Sequence, residues 1–204
     1  MQQAVEDQQA QIAYIALGSN LPSGDRSPAE TLQKALNYLE NQSGQPIKAS
    51  RVFRTPAFPP GSGPVFLNAC ASINWSLSAE YLLNMLHKIE KDLGRTRQNR
   101  WEARIIDLDL IALGQTVAPD AETQALWADL PIDRAATDTP DRLILPHPRL
   151  AERSFVLVPL ADIAPDWVHP LTGKSVTEML AARPAAERAE ILPCETGQIP
   201  ENTG

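Results

Sequence analysis

The sequence predicts an α+β fold in which a four-stranded antiparallel sheet carries two helices on one face. Three observations support this prediction: segments rich in strand-forming apolar residues, amphipathic segments with helix-capping signals, and the order in which the two kinds of segment alternate. The chain has 204 residues, of which 43% are apolar and 21% charged, so it can bury a core of ordinary size.

The first strand and the first helix have the clearest signals. Residues 12–20 form an apolar run that ends at a Gly-Ser-Asn turn, which is typical of a central strand. Ser27 is a suitable N-cap for the helix that follows, and Glu30, three residues later, completes a capping box. Apolar residues then recur at helical spacing until Gly44, which is a suitable helix end.

The remaining elements complete the order β-α-β-β-α-β. Residues 47–55 and 65–75 predict the second and third strands, separated by a loop rich in proline and glycine. Ser78 caps a second amphipathic helix, which we expect to end at Gly94. The apolar run at 105–113 is the fourth predicted strand. This order is that of the split βαβ, or ferredoxin-like, arrangement.

The domain organisation follows from these elements. We expect a polar, disordered tail at 1–11, a single domain at 12–182 and a second disordered tail at 183–204. Within the domain, residues 115–142 are an insert rich in proline and alanine, which we expect to be a loop with little regular structure. Short helices are expected in the segment that follows this insert.

The composition argues against some classes of function. A net charge of −7 argues against general binding to nucleic acids or to anionic membranes. No apolar run approaches the ~20 residues that a membrane-spanning helix needs, and the polar N-terminus lacks the pattern of a secretory signal. We therefore expect a cytoplasmic protein in which Cys70 and Cys194 are free thiols.

The fourth strand contains two aspartates, Asp107 and Asp109, inside an otherwise apolar run. Side chains alternate between the faces of a strand, so both carboxylates point to one face, ~7 Å apart. Leu108 and Leu110 point to the other face and can join the core. Like charges at this distance repel, and Mg²⁺ relieves that repulsion while it shares phosphate oxygens as ligands. The alternative is a pair of solvated carboxylates on an open sheet face.

Basic residues close to this strand favour a site for a metal and a polyphosphate. Arginine forks suit phosphate oxygens, and four arginines lie just upstream, namely Arg95, Arg97, Arg100 and Arg104. His147 lies between two prolines that fix its backbone, and Arg153 follows it. The alternatives are a solvated basic loop and a structural histidine. His87 and His169 are interpreted as surface residues.

Several separate motifs between residues 12 and 167 together resemble one known family. They are YIALGSNL, FRTPAF, FLNACASI, IEKDLGRTR, RWEARIIDLDLIALG and LPHPRLAERSFVLVPLADIAP. With these motifs the chain resembles the 6-hydroxymethyl-7,8-dihydropterin pyrophosphokinases of folate biosynthesis. The resemblance implies an ATP-dependent diphosphotransferase with two Mg²⁺ ions as cofactors. Such an enzyme moves the β,γ-diphosphoryl group of ATP to the pterin hydroxymethyl group and releases AMP.

The resemblance implies roles for residues on the ATP side of the site. Asp107 and Asp109 would hold both Mg²⁺ ions, and together with Arg95 and Arg104 they would form the catalytic set. The residues implied to bind ATP are Glu90, Arg97, Trp101, Arg104, His147 and Arg153.

The same resemblance implies a pterin site. Its implied residues are Gly18, Thr55, Pro56, Phe58, Phe66, Asn68, Trp101, Asp107 and Phe155. A flat heteroaromatic ring favours aromatic faces above and below it, and its polar edge favours an amide such as that of Asn68. The alternative for Asn68 is a place in an ordinary core strand, where the sequence offers it no obvious partner. Phe66 stands where many members of the family have tyrosine.

Two other functions stay open from the sequence. A ferredoxin-like RNA-binding module would share the fold, but its sheet would carry exposed aromatic and basic residues where this chain has aspartates. A catalytically inactive regulator would bind pterin or nucleotide without the reaction. The expected partners are small molecules, ATP and the hydroxymethyl pterin, with no nucleic acid and no membrane. We expect a monomer or a weak homodimer.

Overall fold

An antiparallel sheet forms the centre of the fold. The structure is a computed structural model that describes residues 9–56, 63–94, 105–131, 134 and 137–194. Its strands are β1 (Gln11–Ser19), β2 (Lys48–Ala49), β3 (Phe53–Thr55), β4 (Phe66–Trp75), β5 (Asp107–Leu113) and β6 (Leu192–Pro193). Its helices are α1 (Pro28–Ser43), α2 (Ala79–Asp92), α3 (Ala121–Ala128), α4 (Ser154–Ile163), α5 (Val176–Ala181) and α6 (Ala185–Ala189), with a 3-10 turn at Leu150–Glu152. None of the helices described is both long and apolar enough to cross a membrane.

The strands follow the order β5-β1-β4-β3-β6 across the sheet, and β2 also pairs with β4. Every neighbouring pair is antiparallel. The two long central strands pair from Gln11 opposite Trp75 to Ser19 opposite Leu67. With α1 between β1 and β2 and α2 between β4 and β5, this is the ferredoxin-like order, and the predicted fold class is confirmed.

Helices α1 and α2 cover one face of the sheet. Ser27 caps α1 as predicted: its hydroxyl accepts from the Glu30 N–H at 3.3 Å, and the Glu30 carboxylate accepts from the Ser27 N–H at 2.7 Å. Gly44 follows this helix with a left-handed φ of 63°. Ser78 caps α2, which ends at Asp92, close to the predicted end. The fully buried side chains of this layer include Ile15, Leu17, Leu32, Leu39, Leu82, Leu86 and Ile106.

The C-terminal part of the chain covers the opposite face, so helices lie on both sides of the sheet. In a second core cluster, α4 and α5 pack on Tyr14 and Ala16 of β1 and on Cys70 of β4. Near the end of α4, Arg51 forms a bidentate pair with Asp162, with both N–O distances 2.8 Å. The expected C-terminal addition is therefore a structural layer of the fold.

The predicted second strand is interrupted. Residues 47–55 form two short strands, β2 and β3, with Ser50 between them. The Ser50 hydroxyl accepts from the Cys70 N–H at 2.9 Å, while the Ser50 N–H donates to the Cys70 carbonyl at 2.8 Å. A serine side chain thus replaces a backbone acceptor of the ladder, which the apolar pattern alone does not indicate.

Two segments expected to lack structure contain regular elements. The insert at 115–142 contains α3, whose N-cap is Asp120. The segment from residue 183 contains α6 and β6. Because β6 pairs with β3, and the Cys194 N–H donates to the Val52 carbonyl at 2.9 Å, a sheet edge orders this segment. The two expectations are wrong for these elements. Most of the predicted N-terminal tail, residues 1–8, and residues 195–204 lie outside the described residues.

We predict that both helical layers unfold as one cooperative unit. Leu82 of α2 and Leu157 of α4 are fully buried, one on each face of the sheet. Leu82→Ala and Leu157→Ala should each lower the free energy of unfolding by about 2–5 kcal/mol, because each leaves a cavity. Leu126→Ala is the control: this leucine is 65% exposed, so the change should stay within ~0.5 kcal/mol. Denaturant unfolding followed by circular dichroism measures all three, and a separate transition in the Leu157→Ala protein would contradict the prediction.

Candidate functional site

The two aspartates of β5 lie on one face of the sheet. Leu108 and Leu110, which alternate with them, are buried in the core beneath α1 and α2, while Asp107 and Asp109 are partly exposed on the opposite face. In the register with β1, Gly18 stands opposite Asp107. Strand alternation therefore places both carboxylates at the end of the sheet where β1 begins its turn, as the sequence predicts.

The outer edge of β5 is hydrogen-bonded between the two aspartates and again two residues after them. The buried Glu90 of α2, 2% exposed, accepts the Leu108 N–H at 2.8 Å through its Oε1. Further along the strand, the Ile111 carbonyl accepts from the His147 N–H at 2.8 Å. Because β5 is an edge strand, these two contacts satisfy groups that no neighbouring strand pairs, and they connect α2 and the His147 turn to the acidic pair.

His147 is a neutral hydrogen-bond donor close to the acidic pair. Burial lowers the pKa of His147 to about 3, the positive charge of Arg153 acts in the same direction, and the nearby Asp107 only partly offsets them. The His147 Nδ1 accepts from the Arg149 N–H at 3.1 Å. In a neutral ring whose Nδ1 accepts, the proton is on Nε2, so Nε2–H is free to donate to an anionic ligand.

Arg153 links the acidic pair to an aromatic ring. Its Nη1 donates to Asp109 Oδ2 at 3.1 Å, and its guanidinium lies 5.9 Å from the centroid of the Phe155 ring. The side chains of Arg153 and Asp109 are 30% and 37% exposed, and such a pair contributes little net stability in water. Arg153 can therefore exchange this carboxylate for the phosphate of a ligand, while Asp109 becomes available to a metal ion.

The chemistry of the donor set fits Mg²⁺. Among the residues described, no group of three or more His, Cys, Asp and Glu side chains forms a closed metal site. A pair of carboxylates on an accessible face is what Mg²⁺ uses when water and substrate phosphates supply its other ligands. Asp107 and Asp109 are the residues of this chain that would hold it.

A polar row crosses the sheet next to Asp107. Gly18 stands between Asp107 on β5 and Asn68 on β4. The Asn68 Nδ2 donates to the Thr55 Oγ1 at 2.8 Å, so this buried amide has a partner that the sequence did not reveal. A Cβ on Gly18 would lie 3.1 Å from the Asn68 Oδ1, so only glycine leaves this amide its full space. The row presents a fixed amide beside a carboxylate.

Two aromatic side chains belong to the same part of the fold, one on the sheet and one beside Arg153. Phe66 shares the face of Asn68 by strand alternation and is half-buried. Phe155 at the start of α4 is 38% exposed, which is unusual for a phenylalanine beside a packed layer. Pro56 follows Thr55 at the end of β3. The structure thus brings amide, carboxylate and aromatic groups to one end of one sheet face.

Several residues implied by the sequence lie outside the described residues. They are Phe58, Arg95, Arg97, Trp101 and Arg104, together with Arg100. His169, interpreted from the sequence as a surface residue, is buried. Its ring packs edge-on against Trp167 at 5.9 Å, and its Nδ1 accepts from the Leu171 N–H at 3.3 Å, so it stabilises the turn that follows α4.

Sequence reasoning missed a polar network at the start of α4. The Ser154 hydroxyl donates to the Glu187 carboxylate at 2.9 Å, and Arg183 pairs with the same carboxylate at 2.8 Å. Ser154 stands between Arg153 and Phe155, so this network fixes both. The position of Ser154 between Arg153 and Phe155 could have indicated a role for it. Its partners, however, lie in the segment that the sequence predicts to be disordered. Gln124 of α3 was missed as well, because a buried glutamine in an insert has no sequence signal.

The fold defines a ferredoxin-like protein, and one face of its sheet carries two carboxylates, an arginine paired with one of them, and a buried amide. Residues 14–165 match the model of the family described as 7,8-dihydro-6-hydroxymethylpterin-pyrophosphokinase, abbreviated HPPK. The chain belongs to this family.

Similar proteins from several bacteria support the assignment to the family. Three relatives carry the name 2-amino-4-hydroxy-6-hydroxymethyldihydropteridine pyrophosphokinase. The Methylorubrum extorquens protein is 38% identical over 83% of this chain and 91% of its own length. The Synechocystis protein is 36% identical over 85% of this chain and 76% of its own length. The Pseudomonas aeruginosa protein is 35% identical over 90% of this chain and 98% of its own length.

Solved structures support the fold. The crystal structure of the wild-type HPPK-DHPS protein of Plasmodium falciparum superposes with a TM-score of 0.60 at 14% identity. The match covers 86% of this chain and 45% of the Plasmodium chain, so this chain spans less than half the length of that protein. At this identity the likeness concerns the fold alone.

We predict that His147 makes the metal-free protein sensitive to acid. The pKa of His147 is lowered from 6.5 to about 3 by folding, so between these pH values the unfolded chain binds a proton that the folded protein does not. The free energy of unfolding should therefore fall as pH falls from about 6.5 towards 3. His147→Asn should make this fall shallower without removing it, because burial also lowers the pKa of His169. Chemical unfolding at a series of pH values measures how steeply the free energy of unfolding changes with pH. An unchanged slope in His147→Asn would contradict the prediction. His87→Asn is the control.

Proposed function

We propose that this chain transfers the β,γ-diphosphoryl group of ATP to the hydroxymethyl oxygen of 6-hydroxymethyl-7,8-dihydropterin, giving AMP and the pterin diphosphate in folate biosynthesis. The observation that carries the proposal is the pair Asp107 and Asp109 on an accessible face, with Arg153 and the neutral His147 beside it. Membership of the HPPK family supports the same reaction.

The phosphate side of the site consists of groups that neutralise negative charge. Asp107 and Asp109 would hold two Mg²⁺ ions, which when bound offset the charge of the ATP phosphates. Arg153 and the His147 Nε2–H donate to phosphate oxygens. Arg95, Arg97 and Arg104 contact phosphates as well, and Arg95 and Arg104 act in catalysis, as the family motifs imply.

Glu90 and Trp101 complete the nucleotide side. Trp101 contacts substrate by its motif position, and we assign it to both the nucleotide and the pterin. Glu90 is proposed to bind ATP on the same ground, although its Oε1 accepts the Leu108 N–H. Glu90 therefore also has a structural role, because its buried carboxylate holds the strand that carries the acidic pair.

The pterin side consists of a polar row and two aromatic rings. The Asn68 amide, held by Thr55, pairs with the polar edge of the pterin, and Gly18 leaves it room. Phe66 and Phe155 stack on the faces of the ring. Pro56 and Phe58 complete the pocket by motif position. Asp107 lies in the same row as Gly18, so it adjoins both substrates.

Catalysis in this proposal is positioning and charge stabilisation. The hydroxymethyl oxygen forms a bond to the β-phosphorus of ATP while the bond from that phosphorus to the AMP oxygen breaks. A carboxylate of the acidic pair accepts the hydroxyl proton, and Arg153 stabilises the negative charge that develops on the phosphate oxygens. The substrates are held in line by the fixed polar row on one side and the phosphate contacts on the other.

The alternatives are weaker on physical grounds. An RNA-binding sheet needs an open face, whereas α4 and α5 cover the middle of this one and aspartates are among its partly exposed residues. An inactive regulator would bind the same ligands without releasing AMP, so measuring AMP from ATP and the hydroxymethyl pterin tests the proposal directly. Cytoplasmic location and a monomer or weak homodimer stay predictions.

The acidic pair is the first test of this reaction. Asp107→Asn and Asp109→Asn should each reduce kcat by about 10³-fold or more, because several kcal/mol of charge stabilisation is lost. Asp166→Asn is a matched control on the exposed surface and should leave kcat within twofold. AMP release is measured as a function of Mg²⁺ concentration. Full Mg²⁺-dependent activity in the double Asn variant would refute the assignment.

The polar row is the second test. Asn68→Ala should raise KM for the pterin about tenfold, since one hydrogen-bonding group to the ring is lost. Gly18→Ala should act in the same direction, because its Cβ displaces the amide. Asn74→Ala, an exposed amide at the far end of the same strand, is the matched control. Steady-state kinetics with each substrate varied in turn separates KM for the pterin from KM for ATP. Equal KM values for the pterin in Asn68→Ala and Asn74→Ala would contradict the pterin assignment.

A further inference from the structure

Helix α3 in the insert at 115–142 packs through a polar residue instead of an apolar stripe. Among its side chains only that of Gln124 is buried, at 3% exposure, while Leu126 projects into solvent. Asp120 caps the helix, with its Oδ1 accepting from the Thr123 N–H at 2.8 Å. A buried amide on an otherwise exposed helix is informative, because burial of a polar group costs free energy unless a specific partner compensates it.

That partner is the backbone just before His147. The Gln124 Nε2 donates to the Pro146 carbonyl at 3.2 Å. One residue earlier, Leu145 and Ala118 exchange two backbone hydrogen bonds of 2.9 and 3.0 Å. The His147 N–H then donates to Ile111 of β5 at 2.8 Å. Residues 145, 146 and 147 are thus each held by a different part of the chain. Ala118 and Gln124, which hold the first two, belong to the insert, and β5 holds the third.

We propose that Gln124 is a positioning residue that holds the turn before His147, so that the His147 Nε2–H is directed towards the phosphates of the nucleotide. The Pro146 carbonyl belongs to the peptide unit that leads into His147, so a fixed carbonyl fixes the rotation of that unit. The ring itself is then oriented by the Arg149 N–H on Nδ1. This inference rests on the proposed function, and it gives the insert a role in nucleotide binding.

Gln124→Met tests the inference, because methionine keeps the length of the side chain and suits a helix but cannot donate to the Pro146 carbonyl. It should reduce kcat/KM for ATP about threefold to tenfold, the range that one hydrogen bond contributes, and leave KM for the pterin within twofold. Asp120→Ala, which removes the cap of α3, should act in the same direction. Gln115→Met is the matched control, because the Gln115 amide donates to the Val168 carbonyl at 3.0 Å, away from the His147 turn.

A double-mutant cycle separates positioning from general destabilisation. If Gln124 acts through His147, the Gln124→Met/His147→Ala protein should have the same kcat/KM for ATP as His147→Ala, within twofold. If the two substitutions instead multiply their effects on kcat/KM for ATP, the inference is overturned. A Gln124→Met protein with wild-type kinetics would overturn it as well. Unfolding midpoints of all variants show that each is folded under the assay conditions.

A measurement on the protein without substrates keeps the inference separate from the proposed function. Long-range ¹H–¹⁵N spectra distinguish the Nε2–H tautomer of a neutral histidine from a mixture of tautomers, and His147→Ala identifies the His147 signals. The wild-type protein should show the Nε2–H pattern, and Gln124→Met should show a mixture while Gln115→Met does not. If the wild type releases no AMP, the proposed function fails; an unchanged His147 pattern in Gln124→Met would overturn the positioning role whatever the activity.

Discussion

Two like charges on one face of an edge strand are the constraint on which this fold depends. Asp107 and Asp109 must stay accessible, while the residues that alternate with them must enter the core. An edge strand also leaves backbone groups that need partners. The protein meets all of these demands without covering the carboxylates, since a buried carboxylate of α2 and the backbone of the His147 turn bond the outer edge of β5.

The helical layer on the second face determines how much of the sheet remains open. Helices α4 and α5 cover β1 and β4 around Tyr14, Ala16 and Cys70, and they leave Asp107 and Asp109 on β5 partly exposed. The start of α4 supplies Arg153 and Phe155 at the border of this open end. One helix therefore closes the core and contributes a charged and an aromatic group to the site.

The sequence allowed much of the fold to be predicted, because its signals are local. The capping box at Ser27, the left-handed Gly44 and the alternation around Asp107 depend on neighbours a few residues apart, and the structure has each of them. What could not be predicted depends on distant partners. Thr55 as the partner of Asn68, Glu187 as the partner of Ser154, and the pairing of β6 with β3 all join residues far apart in the chain. The buried His169 is a different case: its partners Trp167 and Leu171 are only two residues away, but no signal in the sequence indicates that they enclose its ring.

The pairing of β6 with β3 has a consequence for how this chain can be shortened. β3 carries Thr55, and without β6 its outer backbone groups at Phe53 and Arg54 would have no strand beside them. An unpaired strand edge is a template on which another molecule can add a strand, which leads to self-association and aggregation. Truncation at residue 182, where the sequence predicts the end of the domain, would therefore expose an unpaired strand edge at β3, which carries Thr55. By pairing with β3, β6 covers this edge, so the residues after 182 are part of what we expect the folded chain to need to stay dispersed in solution.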